Sequence, residues 1–305
     1  MSVDVSVIIP AYRAGEFIQR AIDSALNQTG LNVEVIVVDD ACPEQTGARV
    51  KREYVSEQRV AVVELAVNSG PAAARNVGFD HASGDWLAIL DADDAFEHGR
   101  LARLVRAGAV KSADIIADNV VFLNAVKGTR SVPQLRIGES VRQVFMEDLL
   151  PLRRSSGVGM DLGLLKPMFR RDFLSSRSLR YRENIRHGED FVFYFDLQLE
   201  GARFFVHPEV GYLWTLRNSG MSQTVVDYPS QAKVARELTA EPGAKRRPRV
   251  VEGLERRAQE LDSLQQEYEL VQLVKRRRVL AAIFFALRHP PSVLNAGRSY
   301  IKKKI

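Results

Sequence analysis

The stretch VSVIIPAYRAGEFIQRAIDSALNQTGLNVEVIVVDD, residues 5–40, decides the fold. Val5 to Pro10 and Val33 to Val38 are runs of mainly β-branched apolar residues, each ending in a polar loop, and a helix-like segment from Glu16 to Asn27 separates them. Strand, helix and strand in that order make a βαβ unit. The alternation continues outward: RVAVVELA (59–66) reads as a strand, GPAAARNVGFDHA (70–82) as a helix, DWLAIL (85–90) as a strand and RLARLVRAGAVKS (100–112) as a helix. After a less regular middle, DIIADNVVFL (114–123) reads as a strand and GLLKPMFRRDFL (163–174) as a loop entering a helix. DFVFYFDLQLEG (190–201) then reads as a helix, and RFFVHPEVGYLWTL (203–216) as a strand and turn. The pattern predicts an α/β fold with a Rossmann-like, mixed and mostly parallel sheet covered by helices on both faces. Such sheets bind ligands beyond the carboxyl ends of their strands. Four loops should therefore converge on one edge: Pro10, Ala11 and Tyr12; Asp39 and Asp40; Asn68 to Gly70; and Asp91 to Asp94.

A chain of 305 residues, 46% hydrophobic and 27% charged, has room for one large α/β domain and an appendage. Its net charge of +5 suits phosphate ligands or anionic lipid. Nucleic acid is not expected, because the basic clusters have no interleaved aromatic platform. The single cysteine, Cys42, excludes an intrachain disulfide and a cysteine-rich zinc site, and fits a reducing cytoplasm. The segment MSVDVSVIIPAY reads as a strand rather than a signal peptide. No apolar run approaches the ~20 residues of a spanning helix.

Near Thr239 the composition changes. TAEPGAKRRPR (239–249) reads as a linker, and beyond it Leu254, Leu261 and Tyr268 recur every seven residues, as on an amphipathic helix. That face suits packing on the rest of the chain or pairing with a second copy. The tail from Val274 to Ile305 joins basic clusters to the apolar VLAAIFFAL (279–287). It accommodates two readings, a helix lying in the interface of a membrane and a buried helix with a solvated basic face.

Five segments occur in the order seen in family 2 glycosyltransferases of the GT-A fold: VSVIIPAY (5–12), VIVVDDAC (35–42), NSGPAAARNVG (68–78), GDWLAILDADD (84–94) and GED (188–190). The chain resembles that family over roughly residues 4 to 222, and most of all its bacterial exopolysaccharide (succinoglycan-type) enzymes. The resemblance implies a GT-A catalytic domain over residues 1–225, with a nucleotide-sugar half to about 120 and an acceptor half from about 121. A basic, amphipathic helical region would occupy 226–305. The implied activity is inverting transfer of a hexose from a nucleotide-sugar, a UDP-sugar, to a hydroxyl of a saccharide on a polyprenyl diphosphate. The implied cofactor is Mg2+ or Mn2+, and the implied location is the cytoplasm or the inner face of the cell membrane.

The resemblance also assigns residues. Pro10, Ala11 and Tyr12 would contact base and ribose, and Asp39 the base, the alternative for Asp39 and Asp40 being a turn or helix cap. Arg75 would lie near the donor nucleotide. Asp91, Ala92 and Asp93 match the D-x-D signature, whose alternate residues address one site; Asp93 is the more direct metal ligand and Asp91 lies nearer the sugar. Asp94 reads as a helix cap for the segment that follows. Asp190 is the implied base and Glu189 orients the site, while both also suit a helix N-terminus. Asp161, Gly163, Lys166, Arg217 and Ser222 are the acceptor-binding candidates. Two other readings compete. A nucleotidyltransferase would need a basic motif near the first strand, where only Arg13 stands; an inactive sugar-nucleotide-binding scaffold would not need both acidic pairs.

Overall fold

A computed structural model describes residues 2–124, 127–152, 160–216 and 227–289. The chain divides into two units, Met1–Leu149 with Arg153–Gln223, and Leu150–Leu152 with Thr224–Ile305.

In the first unit the strands are β1 (Val5–Ala11), β2 (Val33–Asp39), β3 (Val60–Glu64), β4 (Trp86–Ile89), β5 (Ala95–Phe96), β6 (Ile115–Asn124), β7 (Thr129–Arg130), β8 (Arg142–Val144), β9 (Met168–Arg170) and β10 (Phe204–Leu216). Its helices are α1 (Ile18–Leu26), α2 (Thr46–Glu53), α3 (Pro71–His81), α4 (Arg100–Lys111), α5 (Met146–Leu149), α6 (Arg171–Ser176) and α7 (Glu189–Leu199), with a 3-10 turn at Leu162–Leu164. One sheet runs β3-β2-β1-β4-β9-β6-β10-β5, with β7 beside β6 and β8 beside β10. β1, β2, β3 and β4 are mutually parallel, and β6 is parallel to β10 across ten register positions. β9 is antiparallel to both of its neighbours, so the strands on either side of it point the same way.

Local sequence explains these elements. α1 buries Ile18, Ala21, Ile22 and Ala25, the i, i+3, i+4, i+7 face of an amphipathic helix. In α3, a Cβ at Gly78 would stand 2.3 Å from Ile8 Cγ2, so glycine there lets the helix lie directly on β1. β9 escapes the reading of 163–174 as a loop: its three residues have no alternation of their own and are held by β4 on one side and β6 on the other.

The second unit holds α8 (Tyr228–Leu238), α9 (Pro242–Lys245), α10 (Pro248–Lys275) and α11 (Val279–Arg288). Leu152, Ala232, Ala235, Ala258 and Leu261 form its core. The segment read as a linker is largely helical. Pro242 and Pro248 each stand in the first turn of a helix, where the missing N–H costs nothing. No helix among the described residues is long and apolar enough to cross a membrane.

Candidate active site

Four stretches of the first unit meet at the carboxyl end of β4. α3 brings Arg75, buried to 3% exposure, and the loop after β4 brings Asp91. The segment between the 3-10 turn and β9 brings Lys166. α7 begins with Glu189 and Asp190. Gly188 precedes them at φ +80°, a left-handed conformation that turns the chain sharply into the helix.

These side chains form one ion-pair network. Arg75 meets Asp91 at 3.2 Å, Glu189 at 3.0 Å and Asp190 at 3.2 Å. Lys166 Nζ lies 3.0 Å from Asp91 and 2.6 Å from Asp190. The Tyr181 hydroxyl donates to Asp190 Oδ1 at 3.1 Å. Burial works against ionisation of Asp91, but Lys166 and Arg75 outweigh it and hold the carboxyl below the usual range. Burial likewise works against the Lys166 ammonium, yet Asp190 and Asp91 keep it more basic than an ordinary lysine. The site is therefore zwitterionic.

A second tier fixes this network. Asn76 accepts from Tyr181 N at 2.9 Å and donates to its carbonyl at 3.0 Å, and the Tyr181 ring stacks on Phe193 with centroids 4.1 Å apart. Arg100, fully buried, donates to both oxygens of Asp118 and to the Lys166 carbonyl at 2.7 Å. Asp161 accepts from Gly163 N at 2.9 Å and Gly163 packs against Phe191, so this pair shapes the turn that presents Lys166. Tyr181, Arg100 and Asp118 escape the sequence reading. A carboxylate inside the apolar strand IIADNVV was the available signal, since a buried charge needs a partner.

Asp94 is a correction. It does not cap α4, whose N-cap is Gly99; it is buried beside β5 and accepts from the Tyr212 hydroxyl at 2.7 Å and Thr215 N at 2.8 Å. Burial, then the charges of Asp91 and Asp93, push its carboxyl well above the usual range. β10 thus latches the DADD loop. Arg20 adds to the latch by donating to the Asp93 carbonyl at 2.6 Å and to the Thr215 hydroxyl. Ala92, between the two carboxylates of the triplet, is buried.

Pro10, Ala11 and Asp39 stand at the adjoining carboxyl ends of β1 and β2. Tyr12 follows β1 and is 45% exposed. Asp39 accepts from the backbone of Cys42 and Gly47, and the Cys42 sulfur accepts from Arg13 N at 3.1 Å. Asp39 therefore ties the β2 loop to α2. Asp40 ties the same loop to the next one, accepting from Ser69 N, Gly70 N and the Asn68 amide. Arg217 and Ser222 lie outside the described residues.

Among the described residues no three His, Cys, Asp or Glu side chains gather into a metal-ready group. The two carboxylates of the triplet are still a donor set that fits Mg2+ or Mn2+. Such ions are commonly held by one or two carboxylates, with substrate phosphates completing the shell.

A mixed, mostly parallel α/β sheet with charged side chains gathered at the carboxyl edge of β4 defines the class of fold, one whose ligand sites lie beyond that edge. The model of glycosyl transferase family 2 matches residues 6–173, and the chain belongs to that family. It is 34% identical over 226 residues to the succinoglycan biosynthesis protein ExoO of Rhizobium meliloti (strain 1021), covering 73% of this chain and 63% of that one. ExoU of the same strain is also 34% identical, over 72% of this chain and 64% of its own. The chain thus spans somewhat under two thirds of these relatives. Among solved structures, S. aureus TarS 1–349 in complex with UDP-GlcNAc superposes with a TM-score of 0.67 at 22% identity, covering 83% of this chain and 72% of that one. TarS 1–349 alone gives a TM-score of 0.65 at 18% identity, over 98% and 92%. The fold is GT-A.

Proposed function

We propose that the protein transfers a hexose from a UDP-sugar to a saccharide hydroxyl with inversion, the acceptor being carried on a lipid diphosphate during exopolysaccharide assembly. The observation that carries this reading is the network joining Asp91, on the donor side, to Asp190, at the start of α7, through Arg75 and Lys166. UDP-GlcNAc in the TarS complex and succinoglycan biosynthesis in the relatives support the donor and the pathway class.

In this reading Asp190 accepts the proton of the acceptor hydroxyl as that oxygen attacks the anomeric carbon, on the face opposite the departing diphosphate. Glu189 fixes Arg75, and Arg75 orients Asp190. Tyr12 and Asp39 line the base end of the donor. Asp93, with Asp91 beside it, would hold Mg2+ or Mn2+, which would supply Lewis-acid stabilisation of the diphosphate. Lys166 and Arg75 add fixed positive charge at the same edge.

The test is thermal stabilisation by nucleoside diphosphates and their sugars, with and without divalent cation. UDP with Mn2+ should raise the melting temperature of the wild type and not that of Asp93→Ala. Absence of metal-dependent stabilisation by every nucleoside diphosphate would sink the proposal. Asp190→Asn should bind donor normally and lose ~10²- to 10⁴-fold in turnover, the contribution of a positioned base.

A further inference from the structure

α11 presents an apolar stripe that no described residue covers. Leu280, Ile283, Phe284 and Leu287 fall at i, i+3, i+4 and i+7 and are 84, 53, 59 and 75% exposed. The opposite face is the packed one: Ala282 is buried, and Phe285 lines the seam with Tyr268, Gln272 and Leu273 of α10. The reading of this segment as a buried helix therefore fails. Large apolar side chains grouped on one helix face mark a surface built to meet something.

Charge identifies the occupant. Lys275, Arg276, Arg277 and Arg278 precede the stripe, Arg288 follows it, and all five are exposed. No acidic residue occurs from 275 to 289. A second copy of the same face would bring five cations against five, which like-charge repulsion opposes. An anionic surface with an apolar interior satisfies both features. The Arg288 guanidinium lies 4.6 Å from the Phe284 ring centroid, a cation at the border of the apolar stripe. Ten residues of helix span ~15 Å, half of a ~30 Å hydrocarbon core, so the helix cannot cross and must lie flat.

We propose that α11 docks the protein on anionic phospholipid, with Leu280, Ile283, Phe284 and Leu287 at the acyl boundary and the flanking cations among the headgroup phosphates. The surface is independent of the sugar-transfer site, and its test needs neither donor nor acceptor. Full-length protein is sedimented with vesicles of phosphatidylcholine alone and of phosphatidylcholine with about one quarter phosphatidylglycerol. Wild type should bind the mixed vesicles, release them as salt rises, and bind neutral vesicles at least about tenfold more weakly. Leu280→Glu with Phe284→Glu, and Arg276→Glu with Arg277→Glu and Arg278→Glu, should each lower the partition coefficient about tenfold or more, with unfolding midpoints unchanged. The proposal is overturned if wild type ignores phosphatidylglycerol or if the apolar double variant binds as wild type does. It is also overturned if wild type binds no vesicles and forms a dimer that the double variant abolishes, which would assign the face to a second copy.

Discussion

Lys166 reaches two carboxylates that stand ninety-nine positions apart in the chain, Asp91 and Asp190, and its carbonyl is held in turn by Arg100. Replacing it by methionine keeps its bulk and takes one cationic partner from each carboxylate, leaving Arg75 to serve both. Breaking such a buried pair costs about 3–5 kcal/mol, so Lys166→Met should lower the urea midpoint clearly while Lys166→Arg recovers part of the loss. An unchanged midpoint would show that the pairs carry no stability. At this scale the acidic pairs were legible from residue type and order, because Asp91 and Asp93 follow a strand and Glu189 and Asp190 open a helix, whereas Arg75 and Lys166 were picked out only through the family resemblance. Tyr181 and Asp94 were not. Each takes its role from a partner that only folding supplies: Asn76 grips the Tyr181 backbone across 105 positions, and Asp94 meets Tyr212 and Thr215 across 118 and 121.

Glu34, at the start of β2, is the element-scale counterpart at the far end of the strands. It accepts from the Ser6 hydroxyl on β1 and from the backbone and hydroxyl of Ser83 before β4, stitching three strands at their entry. Burial raises its pKa, but these hydrogen bonds outweigh burial and leave it lowered. A carboxyl depressed in the folded state contributes stability that is present above its unfolded value of ~4.3 and lost as pH falls through the folded one. Glu34→Gln should therefore flatten the acid limb of stability below about pH 4.3 in urea titrations across pH. An acid limb identical to that of wild type would contradict the assignment. Helix starts tell a related story. Pro242 and Pro248 read as breaks in the sequence and are starts in the structure, since a proline interrupts a helix only where the preceding turn would have used its N–H.

At the scale of the molecule, the parallel strands and their covering helices follow from alternation alone, whereas the order of strands does not. The sheet closes through β9, a three-residue strand that arrives late in the chain and lies between β4 and β6. Residues before and after position 120 therefore share one sheet and fold as one unit. A fragment of residues 1–124 carries β1 to β6 but leaves β4 and β6 with open edges toward each other. Open edges invite association, so the fragment should elute as aggregates without slow amide exchange, and a protected monomer would refute this. The ion-pair network has a further consequence in charge balance. Two cations hold three carboxylates, which leaves the network with one negative charge inside a protein whose net charge is +5. On the proposed function, that local negative charge opposes the approach of a bare nucleoside diphosphate, whatever the positive charge of the chain as a whole. On the same reading, a donor already neutralised by a divalent ion would meet less of that opposing charge, so the same three carboxylates would favour the complexed form of the substrate before any bond is broken.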